Sequence, residues 1–141
     1  MDVIQLTQSS KRALQALGVS SLYLFGSRAQ GKAGPLSDYD FAVLMKVNHD
    51  KSAHKRGGDV YDQLYDILSP FCPRTLQNDI IDIVFLDSAP LELRMHVVRY
   101  GQPIFDLNPQ ARLNFEEHTT LQYCDYRPLL NMFDQAILAS V

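Results

Sequence analysis

The stretch LFGSRAQGKAGPLSDYDFAVL, residues 24–44, carries the pattern from which the fold can be read. Its first two residues close a short apolar run, Ser21-Leu22-Tyr23-Leu24-Phe25, which predicts a buried strand. The run stops at Gly26-Ser27. Arg28 to Ser37 then holds Gly31, Gly34 and Pro35, so the chain must turn there or form a brief helical segment. Asp38-Tyr39-Asp40-Phe41-Ala42-Val43-Leu44 alternates like a second strand. That alternation puts Asp38, Asp40, Ala42 and Leu44 on one face and Tyr39, Phe41 and Val43 on the other.

Two carboxylates two residues apart on a strand stand side by side, with Cα atoms about 6–7 Å apart. On a half-buried sheet such a pair of like charges is costly unless a cation binds between them. Mg²⁺ suits the position, because it prefers carboxylate oxygens and shares its coordination shell with substrate phosphates. A pair of surface aspartates at a strand start would need no cation, and Asp38-Tyr39-Asp40 alone leaves that reading open. Ile80 to Leu86 adds a third strand, rich in β-branched residues, in which Asp82 is the one charge. If it lies beside the second strand, three carboxylates converge, as two-metal phosphoryl or nucleotidyl transfer requires. The other reading of Asp82 is an edge-strand side chain pointing to water. Asp79 and Asp87, flanking this strand, are expected to be capping or surface groups.

Gly26 lacks a Cβ and lets the backbone approach a triphosphate closely. Ser27 offers a hydroxyl and an amide at an expected helix start, a favoured place for anionic oxygens. Arg28 fits either a phosphate contact or a surface ion pair. Outward from this core, Val3, Leu6, Ala13, Leu14 and Leu17 predict a helix over 3–17 that stops at Gly18. Met45 to Gly58 is polar and basic, with Lys46, Lys51, Lys55 and Arg56, and reads as a solvated loop or as one that approaches phosphate. Val60, Leu64, Ile67 and Leu68 predict a helix ending before Pro70. Pro90 to Tyr100 is expected to be helical, Ile104-Phe105 a short edge strand, and Asn108 onward helical with a break or kink at Pro128.

The 141 residues suit one domain spanning 1–141, an α/β fold with a small mixed sheet flanked by helices and a helical C-terminus. With 46% apolar and 21% charged residues the composition is that of a core-forming globule. Cys72 and Cys124 have no CxxC spacing and are expected to be reduced, partly buried thiols. No apolar run reaches the length of a membrane span and no signal peptide is visible, so the expected compartment is the cytoplasm. A net charge of −3 argues against direct nucleic-acid binding.

Gly26-Ser27, ten intervening residues and Asp38-Tyr39-Asp40 resemble the GSx10DxD signature of the polymerase-β-like nucleotidyltransferase superfamily. Residues 24–44 are similar in detail to the minimal nucleotidyltransferase (MNT) family, the antitoxin partners of HEPN-domain toxins. IIDIVFLDSAPLELRMHVVRYGQPIFD, residues 80–106, resembles the second half of that family, and the likeness covers roughly residues 10–130. The resemblance implies that Gly26 and Ser27, with Arg28, hold the nucleotide phosphates, that Asp38 and Asp40 bind metal, and that Asp82 completes the site as ligand or base. It also implies ATP as co-substrate and Mg²⁺ as cofactor, with transfer of AMP to a tyrosine of a HEPN ribonuclease toxin. A homodimer and a hetero-oligomer with the toxin both stay open. Where the family usually has an RARG-like stretch this chain has Arg28-Ala29-Gln30-Gly31, so a second arginine is missing. A small-molecule nucleotidyltransferase of the aminoglycoside-modifying kind and an antitoxin acting by contact alone are the alternatives.

Overall fold

The structure, a computed structural model, describes residues 4–26, 29–31, 38–46, 58–72 and 81–139. In chain order the elements are α1 (Gln8–Leu17), β1 (Val19–Phe25), β2 (Tyr39–Met45), α2 (Asp59–Leu68), β3 (Ile81–Phe85), α3 (Leu91–Tyr100), β4 (Gln102–Asp106) and α4 (Pro109–Ala139). The strands form one sheet in the order β3-β2-β1-β4. β1 runs antiparallel to both β2 and β4, whereas β2 and β3 are parallel. The sheet is therefore mixed, as expected from the sequence.

Period-two alternation sorts the sheet into two faces. One carries Leu22, Leu24, Phe41, Val43, Ile81, Ile83 and Phe85, packed with Leu14 of α1 and Val60, Leu64 and Leu68 of α2. The opposite face carries Tyr23, Phe25 and Ala42, packed with Val97 of α3 and with Leu93 and Phe115 beside it. Both faces are covered, which is why β1 is buried along its whole length and shows no polar alternation.

Several boundaries differ from the sequence expectation. The helix periodicity from Val3 suggests an earlier start, yet α1 begins at Gln8, because the Thr7 side chain accepts from the Ser10 amide at 3.2 Å and caps it. Ile4 and Leu6 pack against the core from outside the helix. Gly18 ends α1 at φ 89°, as a left-handed cap. β1 starts two residues before the apolar run, at Val19, since Ser20 and Ser21 are buried in the sheet. β4 likewise extends beyond Ile104-Phe105. α2 ends before Pro70 as expected, and a single 3-10 turn, Ser69–Phe71, follows it.

Pro128 does not break the last helix: α4 runs from Pro109 to Ala139 without interruption. A proline inside a helix removes one N–H, and the carbonyl it orphans belongs to Cys124, an exposed residue that water can reach. Both cysteines are free; Cys72 is buried, but Cys124 is exposed rather than partly buried.

The first turns of α4 are tied to the sheet by a polar chain. Ser21 Oγ donates to Asp106 Oδ1 at 3.2 Å, and Arg112 Nε donates to Asp106 Oδ2 at 2.7 Å. Arg112 Nη1 also donates to Glu116 Oε1 at 3.1 Å, which accepts from Tyr23 OH at 2.9 Å. The network fixes α4 across β1 and β4. Burial first, then the bond to Glu116, raises the Tyr23 phenol well above its ordinary value.

Candidate active site

The carboxylates gather at the end of the sheet where β1 finishes and β2, β3 and β4 begin. Asp40 and Asp82 are direct partners in the parallel β2–β3 ladder, so both point to the face covered by α3. Asp38 lies one residue before β2 and is exposed. Asp82 is exposed too, and its strand is an edge strand. Of the two readings of Asp82, the edge position holds, and so does the alignment with Asp40.

Asp40 is half-buried, and its carboxyl is pushed above the ordinary value by burial first and then by the charges of Asp82 and Asp38. His96 of α3 opposes that shift. Asp82 and Asp38 therefore both act electrostatically on Asp40. Among the described residues no group of three or more His, Cys, Asp or Glu side chains is gathered closely enough to cage a metal ion. An open set of carboxylates still fits Mg²⁺, which binds through one or two carboxylates and fills its octahedron with water and substrate phosphates. The donor chemistry and the unneutralised charge on Asp40 are both consistent with that ion.

Gly26 follows the strand residue Phe25, the β1 partner of Asp40. Its φ of +78° is left-handed, and a Cβ at this position would collide with Asp40 Oδ2. The left-handed backbone is what requires glycine, and a Cβ would in addition have to displace the Asp40 carboxylate. The Gln30 amide donates to the Gly26 carbonyl at 3.2 Å and closes a turn in which Ala29 is buried. Ser27 and Arg28 lie outside the described residues, as do Asp79 and most of the basic stretch from Met45 to Gly58.

Two further residues border the site. The His96 ring meets Phe25 edge-on at 6.2 Å and Tyr100 at 5.1 Å, which places an imidazole beside the Asp40 end of β1. One signal was available for it: Leu93, His96 and Val97 have helical spacing, which places His96 beside the apolar stripe of α3 that packs on the sheet. Gln102, the first residue of β4, donates from Nε2 to the Ala29 carbonyl at 2.7 Å. Nothing local in the sequence marks it.

With this geometry in place, residues 8–110 match the family model described as polymerase beta, nucleotidyltransferase. The chain belongs to this nucleotidyltransferase family. No curated protein sequence matches it. A chain from a crystal structure of a toxin–antitoxin with AMP-PNP is 27% identical, with 96% of this chain and 98% of that one covered and a TM-score of 0.62. A chain from the MntA-HepT toxin–antitoxin is 25% identical over 96% of this chain and 98% of its own, with a TM-score of 0.54. A third comes from a complex of a tri-AMPylated Shewanella oneidensis HEPN toxin with an MNT antitoxin. It is 24% identical with a TM-score of 0.55, covers 95% of this chain and 97% of that one, and speaks for the fold alone. The chain is therefore a nucleotidyltransferase of the polymerase-β fold. Among the described residues no helix is long and apolar enough to cross a membrane.

Proposed function

We propose that this nucleotidyltransferase is the antitoxin of a toxin–antitoxin pair and transfers AMP from ATP to a tyrosine of a HEPN ribonuclease toxin. The observation that carries the transfer chemistry is the Asp40–Asp82 alignment across β2 and β3, with Gly26 pressed against Asp40. The nucleotide is inferred from the AMP-PNP in the toxin–antitoxin structure that this chain resembles. The acceptor is inferred from the sequence likeness of residues 24–44 and 80–106 to MNT antitoxins.

In this reading Asp38 and Asp40, with Asp82 beside them as ligand or base, would hold Mg²⁺, and the ion would supply positive charge against the reacting phosphate. The Gly26 turn and Ser27 hold the triphosphate through backbone amides and a hydroxyl, and Arg28 adds charge. The acceptor oxygen bonds to the α-phosphorus as the bond to the bridging oxygen breaks, and pyrophosphate leaves. Asp82, the more open of the paired carboxylates, takes the proton from the acceptor hydroxyl.

The test incubates the protein with α-labelled ATP, Mg²⁺ and the product of the neighbouring gene. Label on that protein, lost with Asp40→Ala, supports the reading. Neutralisation of the toxin that survives Asp40→Ala replaces it with an antitoxin acting by contact. Label transferred only to an aminoglycoside replaces it with a small-molecule enzyme.

A further inference from the structure

The turn that follows β1 is held from outside as well as from within. Its internal closure is the bond from the Gln30 amide to the Gly26 carbonyl. The external one comes from Gln102, whose Nε2 reaches the Ala29 carbonyl at 2.7 Å, partly buried and 73 residues away in sequence. A carbonyl only accepts, so the amide nitrogen of Gln102 has to face it, and the orientation of that side chain is settled by its partner. The ladder explains the reach: Gln102 pairs with Leu24 on β1, two residues before Gly26, so its side chain stands beside the turn.

We infer that Gln102 is a positioning residue, which holds Ala29, and through the Gln30–Gly26 bond Gly26 itself, at the separation from Asp40 that the nucleotide phosphates require. The inference rests on the nucleotidyltransferase reading of the site. Gly26 lies close to Asp40, since a methyl group there would have to displace its carboxylate. A small displacement of the turn therefore changes the gap between the phosphate-binding backbone and the metal-binding carboxylate directly. Positioning errors on the scale of an ångström are enough to cost affinity or rate at such sites. Ala29 is buried, so its carbonyl has few other donors to choose from. Gln102 also follows directly on α3 and Gly101, and so links the turn to the helix that carries His96.

The test uses the full chain, AMP-PNP with Mg²⁺ as the probe, and three variants. Gln102→Glu keeps the shape but sets a carboxylate oxygen against the carbonyl, Gln102→Leu removes the donor, and Gln102→Lys restores a donor of sufficient length. Loss of one hydrogen bond of this kind corresponds to about tenfold in an equilibrium constant. Gln102→Glu and Gln102→Leu are expected to weaken AMP-PNP binding about tenfold, with Gln102→Lys near the parent and every apo melting temperature within a few degrees of the parent's. Unchanged affinity in Gln102→Glu and Gln102→Leu overturns the inference while leaving the nucleotidyltransferase reading intact. So does affinity that falls only in step with melting temperature, or failure of Gln102→Lys to recover it. If the parent chain itself binds no AMP-PNP while Mg²⁺ is present, both readings fall together.

Discussion

At the scale of single residues, Gly26 and Asp40 constrain one another. A Gly26→Ala substitution must adopt a left-handed backbone, at roughly 1–2 kcal/mol, and must also push the Asp40 carboxylate aside. It is expected to abolish nucleotidyl transfer, read as labelled AMP on the acceptor, and to lower the melting temperature. Retention of more than about a tenth of the parent rate would show that the close approach is not needed. Asp40 gives the opposite combination. Its folded-state pKa is raised, so the carboxyl favours the fold when protonated and works against it once pH has risen through the folded value. Without metal, at pH 7, Asp40→Asn removes that penalty. The variant should melt a few degrees above the parent in EDTA at pH 7, an effect kept small by solvent screening. The advantage should fade as the pH falls toward the ordinary value of 3.8, and the variant should be inactive in transfer at every pH. An Asp40→Asn protein that melts below the parent in EDTA would contradict the electrostatic account.

At the scale of elements, the docking of α4 depends on a few polar bonds. Arg112 serves Asp106 and Glu116 together, and both ion pairs are sheltered, with side-chain exposures of 21% and 22%. Arg112→Ala leaves two carboxylates without their cation and is expected to cost about 2–3 kcal/mol, measured by urea unfolding. Tyr23→Phe loses one bond while Glu116 keeps Arg112, and should cost about 1 kcal/mol. A double variant that costs less than the sum would show that the bonds act as one network. The i,i+4 spacing of Arg112 and Glu116 is a local signal, but their link to the sheet was not legible in the sequence, because Tyr23 and Glu116 are 93 residues apart. What could be read were the local features. Gly18 ends α1, Leu64 and Leu68 lie on the buried stripe of α2, and the β2 alternation separates Asp40 from Phe41. Where local reading failed, a competing local interaction decided the outcome, as with the Thr7 cap at the start of α1.

At the scale of the whole molecule, the sheet separates stability from chemistry. One face is sealed by α1 and α2 and carries most of the buried side chains, while the carboxylates belong to the other face, at its open end. The aspartate motif was legible because strand period and motif spacing coincide. The alignment of Asp82 with Asp40 was only conditional, because strand order and register depend on long-range packing that sequence period does not encode. His96 and Gln102 reach the site through α3 and β4, and their placement follows from the same long-range packing. This division of labour has a consequence that can be measured. Leu64, fully buried on α2 against the far face, can be cut to Ala at a cost of about 2–5 kcal/mol. Because the cavity lies across the sheet from Asp40, AMP-PNP should bind the folded fraction of Leu64→Ala with the parent affinity. Ligand present at roughly a hundredfold excess over its dissociation constant restores about 2.7 kcal/mol of apparent stability, so AMP-PNP with Mg²⁺ should recover most or all of a loss at the lower end of that range. The same addition should leave the melting temperature of Asp40→Asn unmoved, since that variant keeps its core and loses a carboxylate proposed to hold the metal that the nucleotide phosphates share. If AMP-PNP stabilised Asp40→Asn as strongly as Leu64→Ala, the nucleotide would have to bind somewhere other than the carboxylate end of the sheet.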